Sequence, residues 1–187
     1  RAHEYQLTLE SKRNLDGHRR LVRAIHDAGS KIFMQIQHSG QYANPKLLPD
    51  GMPVGPSDIF ARKDPTRQRC RGLTSTEVEA MIAAFGETAG LAIEAGYDGV
   101  ELHGAHGYLL TQFLSPLANR RDDEWGGDFE RRLAFPMAVV RSVRAAIGDA
   151  PLVYRVSADE FRPGGMTIED MERVVPHLVE AGVDAIH

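Results

Sequence analysis

Two imidazoles and a phenol, His103, His106 and Tyr108, fall within six positions of one another in the stretch GYDGVELHGAHGYLLTQFLSP, Gly96 to Pro116. Each can donate a hydrogen bond or move a proton, so together they could grip and protonate a polar organic substrate. A His-x-x-His pair also fits half of a metal site, or a hydrogen-bonded corner with no chemistry. Spacing alone leaves these readings open. Gly104, Ala105 and Gly107 let the backbone turn sharply between the functional groups and leave room for something bulky to approach. Just upstream, apolar Val100 and Leu102 alternate with Glu101 and His103, the pattern of a strand with one apolar face. The three groups therefore gather at the C-terminal mouth of a strand.

The flanking segments must position that mouth. Arg13 to Ala28 carries apolar residues at helical spacing and stops at Gly29. Lys31 to Gln37 is a strand that puts Ile32, Met34 and Ile36 on one face and Phe33, Gln35 and Gln37 on the other. From Tyr42 to Gly72 the proline-rich sequence predicts a long irregular loop that covers or shapes a site. Its basic residues Arg62, Lys63, Arg67, Arg69 and Arg71 read as a solvated face before a phosphate contact, and Cys70 as an unactivated thiol. A Thr74-x-x-Glu77 capping box opens a helix ending near Ala95-Gly96. A short helix from Tyr108 to Leu114 follows the Gly99 to His103 strand. Leu133 to Ile147 is helical, Leu152 to Ser157 a strand, and Thr167 with Asp170 caps a helix to Ala181. Val183 to Ile186 begins one more strand.

Helix, Ala-Gly, strand recurs at Ala28-Gly29, Ala95-Gly96 and Ala181-Gly182, with Gly148 at a fourth junction. Such alternation predicts an α/β fold with parallel strands joined by crossovers. A doubly wound sheet would bring Gly-x-Gly-x-x-Gly between a strand and a helix, and none occurs. Polar Gln37, His103 and Arg155 instead end three successive strands, as the site of a (β/α)8 TIM barrel requires. A barrel needs roughly 250 residues. The 187 here are expected to be a partial one, the central strands of a longer parent chain.

Composition narrows the partners. With 42% hydrophobic and 26% charged residues the chain can bury a core, and a net charge of -4 favours neither nucleic acid nor an anionic membrane. No apolar run approaches the roughly 18 residues of a membrane span, and no signal-peptide pattern opens the chain. With Cys70 its only cysteine, an internal disulfide is excluded and a cytoplasmic location is expected. The start at Arg1 and the stop at His187, just after the opening of a strand, read as the ends of a fragment.

The run DGVELHGAHGYLLTQFLSP, then NRRDDEWGGDFERR, then VYRVS, resembles the Old Yellow Enzyme family of FMN-dependent oxidoreductases. It is similar to the branch with His-x-x-His, and to the barrel part of the larger enoate and dienoyl-CoA reductases. The resemblance implies that residues 1–187 form an incomplete FMN-binding barrel domain, about strands 3 to 5 and the start of strand 6. It implies that His103 and His106 bind a substrate carbonyl, Tyr108 donates a proton, and Gln37 and Arg155 hold the flavin ring. FMN would be the cofactor, NAD(P)H the reductant, and an activated C=C bond of an α,β-unsaturated carbonyl compound the acceptor, in the full-length parent. A small molecule would be the partner, and a homo-oligomer and an iron-sulfur cluster in a further C-terminal region are left open for the parent. The chain departs from the family in His38-Ser39-Gly40-Gln41, where His-Ala-Gly-Arg is common, and in Trp125-Gly126-Gly127-Asp128 and Glu130-Arg131-Arg132. Two other readings stand beside it: a metal-dependent barrel hydrolase using His103 and His106, and an inactive, cofactor-free fragment.

Overall fold

The structure, a computed structural model, describes residues 3–4, 6–9 and 11–187. Helix α1 (Leu15–Asp27) turns Leu15, His18 and Val22 inward, and strand β1 (Phe33–Ile36) follows. The chain then leaves the main sheet. Where the sequence predicts an irregular loop, there are three strands, β2 (Val54–Gly55), β3 (Ile59–Ala61) and β4 (Asp64–Gly72), in the order β2-β4-β3. The reason is that β4 is mostly exposed and charged, so no apolar alternation marks it. Backbone pairing and side-chain bonds hold it instead, including Asp58 accepting from Gly72 N (2.7 Å) and Gln68 Nε2 (3.0 Å).

Helix α2 (Ser75–Ala95) opens with the expected capping box between Thr74 and Glu77 and ends at Gly96 in the left-handed region. Strand β5 (Gly99–Gly104) leads through a tight turn into α3 (Leu109–Leu114), all six of whose residues are buried. Helix α4 (Phe129–Ile147) starts earlier than expected, because Asp128 caps it by accepting from Arg131 N and the charged run Glu130 to Arg132 forms its first turn. Strand β6 (Leu152–Val156), helix α5 (Ile168–Ala181) with its own Thr167 and Asp170 capping box, and strand β7 (Ala185–Ile186) complete the chain.

The main sheet runs β1-β5-β6-β7, every pairing parallel. Spatial order follows chain order without the reversal that defines a doubly wound sheet, so this is a segment of a singly wound (β/α)8 barrel. Val100, Leu102, Leu152 and Tyr154 are wholly buried on the face that packs with Phe85, Ala89 and Ala92 of α2 and Phe135, Val139 and Val143 of α4. Each such side chain contributes about 1.5–3 kcal/mol. Gly86 lets α2 approach α4 closely, since a Cβ there would overlap the Ser142 side chain. The opposite face of the sheet, carrying Gln35, Glu101 and His103, looks into what would be the barrel lumen. Among the described residues no helix is long and apolar enough to cross a membrane.

Candidate active site

Strand register brings the predicted residues together. Ile36 pairs with Leu102, which pairs with Tyr154, and His103 pairs with Arg155. Gln37, one residue past Ile36, therefore stands level with His103, and the three polar residues form a row across the C-terminal ends of adjacent strands. Alternation puts them on the lumenal face, opposite the buried Val100 and Leu102. Around this row the His103 ring lies 5.0 Å from that of His106 and 5.3 Å from that of Tyr108, centroid to centroid. His106 has a left-handed backbone (φ 58°), unusual without glycine, and its N–H donates to Ser157 Oγ at 2.9 Å. Ser157 comes from the loop after β6, so the turn bearing His106 is tied to the strand bearing Arg155.

A second tie joins this turn to the loop after β1. Gln112 is 1% exposed; its Nε2 donates to Gly107 O (2.6 Å) and Ser39 O (3.5 Å), and its Oε1 accepts from Gln41 N (3.2 Å). Leu109 N also donates to His38 O at 3.0 Å. Gly40 must be glycine here: its φ is +57°, and a Cβ would overlap the Gln112 amide. Neither Gln112 nor Ser157 is visible as a positioning residue in the sequence, because one sits in an apolar helix and the other in a polar loop. The surviving sequence signal is a lone amide in an otherwise apolar run.

Burial governs the charges. His103 is 4% exposed, and desolvation, with lesser electrostatic contributions from neighbouring His106 and Arg155, lowers its pKa to about 4. It is neutral near pH 7 and presents one N–H and one lone pair. Burial likewise lowers His38 to about 4, and its Nδ1 accepts from Gly40 N at 3.1 Å. Gln37 Oε1 and His103 Nδ1 are buried without a hydrogen-bond partner. Buried polar atoms normally have one, so two orphans on one row fit a polar ligand lying across it. The sequence also allows Glu101 to pair with Arg155. The structure corrects this: the Glu101 carboxylate is bonded by Gln35 Nε2 and by His187 Nδ1 at 2.8 Å, and Arg155 acts on it only through its charge. Burial would raise the Glu101 pKa, but these bonds and that charge outweigh it and the net shift is downward.

The β2-β3-β4 excursion is pinned over the same end of the sheet by Arg121, which bonds Asp123, Pro56 O (2.9 Å) and Leu73 O. Cys70 is buried there, and desolvation raises its pKa to about 11, so it is held as an inert thiol. Gln37 also borders a cavity of about 220 Å³ beside β1, shared with His38 and Phe85, away from His106 and Tyr108. Among the described residues no three His, Cys, Asp or Glu side chains converge as metal ligands, so the His103 and His106 pair finds no third partner of that kind.

Over residues 1–187 the sequence matches the NADH:flavin oxidoreductase / NADH oxidase family. The chain belongs to that family. Within it, the chain is 44% identical over 186 residues to an NADH oxidase of Thermoanaerobacter brockii, covering 97% of this chain and 28% of that one. It is 43% identical over 187 residues to a probable NADH-dependent flavin oxidoreductase, YqiG, of Bacillus subtilis, covering 97% and 50%. The structure of morphinone reductase with tetrahydroNAD superposes with a TM-score of 0.88 at 28% identity, covering all of this chain and 56% of that one. The chain thus spans half or less of the length of these two curated relatives, and its fold is that of the Old Yellow Enzyme barrel. Membership in this flavin oxidoreductase family displaces the metal-hydrolase reading.

Proposed function

We propose that this chain is the central part of an FMN-dependent oxidoreductase that reduces the C=C bond of an α,β-unsaturated carbonyl compound at the expense of NAD(P)H. In this reading residues 1–187 supply about strands 3 to 5 and the start of strand 6 of the barrel, in a cytoplasmic protein. The observation that carries it is the level row of Gln37, His103 and Arg155 with the rings of His106 and Tyr108 gathered at its centre. Gln37 and Arg155 would hold the flavin ring, Gln37 with an amide whose Oε1 has no partner and Arg155 with a fixed positive charge. FMN bound there would supply the hydride-transfer chemistry between the nicotinamide and the acceptor's C=C bond.

The chain's own residues account for the rest. Neutral His103, with His106, donates hydrogen bonds to the carbonyl oxygen, on which negative charge grows as hydride arrives. Preorganisation matters here: Ser157 and Gln112 fix the turn, so the donors are in place before charge develops. Tyr108, half-buried beside His103, delivers its phenolic proton to the α-carbon. In the full-length protein, His103→Ala/His106→Ala is expected to lose binding of an enone or a phenol while the yellow FMN absorbance persists. Tyr108→Phe should lower turnover by roughly 10²-fold or more with little change in KM. Full enone affinity in the double variant would end the carbonyl-binding role.

A further inference from the structure

A cavity of about 590 Å³ lies between the β3-β4 hairpin and the loops that follow α3 and β6. Three guanidiniums line it, Arg69 from β4, Arg120 after α3 and Arg162 after β6, against only two carboxylates, Asp58 and Glu160. Both carboxylates are already engaged inside the protein. Glu160 accepts from Ser115 Oγ and Met166 N, each at 2.7 Å, and Asp58 from Gln68 and Gly72. None of the three guanidiniums makes an ion pair or hydrogen bond among the described residues. Their backbones are nevertheless fixed: Arg69 lies in the paired strand, Arg120 N donates to Ser57 Oγ at 2.9 Å, and Arg162 O accepts from Gly165 N at 2.9 Å.

The rim adds aromatic surface. Tyr42 and Phe60 line the cavity half exposed, and Phe161, between Glu160 and Arg162, is 90% exposed in a left-handed backbone conformation (φ 50°). A bulky residue held there without packing against the protein is a feature of ligand clamps. The cavity is also lined by Gly107 and Gln112, so it is continuous with the turn that carries His106 and Tyr108.

We infer that this cavity holds the adenosine-pyrophosphate tail of a ligand whose reactive head lies over the Gln37, His103 and Arg155 row. Arg69, Arg120 and Arg162 take the two phosphates and the rim aromatics stack on the base. Its link to the head site rests on the flavin reading above; the tail site itself rests on the cavity. Two ligands of this chemistry exist for such a reaction, the nicotinamide dinucleotide that gives hydride and a coenzyme A thioester that accepts it.

The test uses the full-length, FMN-loaded protein and its Arg69→Ala, Arg120→Ala, Arg162→Ala and triple variants. Calorimetric titration with ADP should give a Kd that rises about tenfold or more in the triple variant and weakens with added salt in the parent. Arg69→Lys should recover part of the loss seen in Arg69→Ala. KM for NADH is then compared with that for 1-benzyl-1,4-dihydronicotinamide, and KM for an enoyl-CoA with that for its N-acetylcysteamine thioester. A rise confined to NADH assigns the tail to the hydride donor; one confined to the enoyl-CoA assigns it to the acceptor. Unchanged ADP affinity in the triple variant overturns the inference. ADP binding that depends on the arginines in a protein without flavin absorbance would support the tail site and defeat the flavin reading.

Discussion

Gly40→Ala is the sharpest probe of how the site is built, when measured alone and on a Gln112→Ala background. Two separate costs are expected in the single variant. At φ +57° an alanine must adopt the left-handed region, which costs roughly 1–2 kcal/mol. Its Cβ also overlaps the Gln112 amide, which must withdraw from Gly107 O, Ser39 O and Gln41 N. At about 1 kcal/mol net for each of the two better bonds, that withdrawal costs about 2 kcal/mol more. Gly40→Ala should therefore destabilise by about 3–4 kcal/mol. With Gln112 already truncated only the backbone cost remains, so the two substitutions should be non-additive by about 2 kcal/mol. Urea unfolding of the full-length protein reads this as a shift of midpoint at constant slope. Effects that add to within about 0.5 kcal/mol would refute the clamp, because the overlap would then be relieved by something other than Gln112.

Two further outcomes follow from the charges. The folded-state pKa of His103 lies below its ordinary value, so the unfolded chain takes up the proton first as pH falls; stability is full above about pH 6.5 and declines toward about pH 4. The size is at most about 3 kcal/mol, and because His38 acts over the same window, His103→Asn should reduce but not abolish the fall of the urea midpoint there; an unchanged slope would show that His103 is not desolvated. The Arg121 side chain is 10% exposed, and Arg121→Met should destabilise by about 3 kcal/mol, since it leaves Asp123 without its cation and two carbonyls without their donor. Limited proteolysis should then cut first between residues 56 and 73, and a wild-type digestion pattern would contradict the pinning role.

Much of this arrangement was legible in the sequence because it rests on local rules. The capping boxes at Thr74 and Thr167 and the alternation in β5 each need only a few neighbouring residues to be read. The row of Gln37, His103 and Arg155 could be expected once the strands were taken as parallel, since each ends its own strand. What escaped depends on contacts far apart in the chain. β4 carries the sequence DPTRQRCRG, and pairing with β2 and β3 makes it a strand in the absence of an apolar face. Gln112 is a lone amide in an apolar run with nothing local to mark its role, yet α3 is buried on all sides and the amide serves backbone groups of two loops. Glu101 shares a face with Arg155, but Gln35 on the neighbouring strand reaches it as a direct partner.

The level row across β1, β5 and β6 also bears on timing. Its members are separated by dozens of residues, and none meets the next until a whole crossover has closed, so their alignment is expected late in acquiring the native state. Any molecule that bridges all three would then stabilise only the finished product: it should slow unfolding and leave the refolding rate almost untouched.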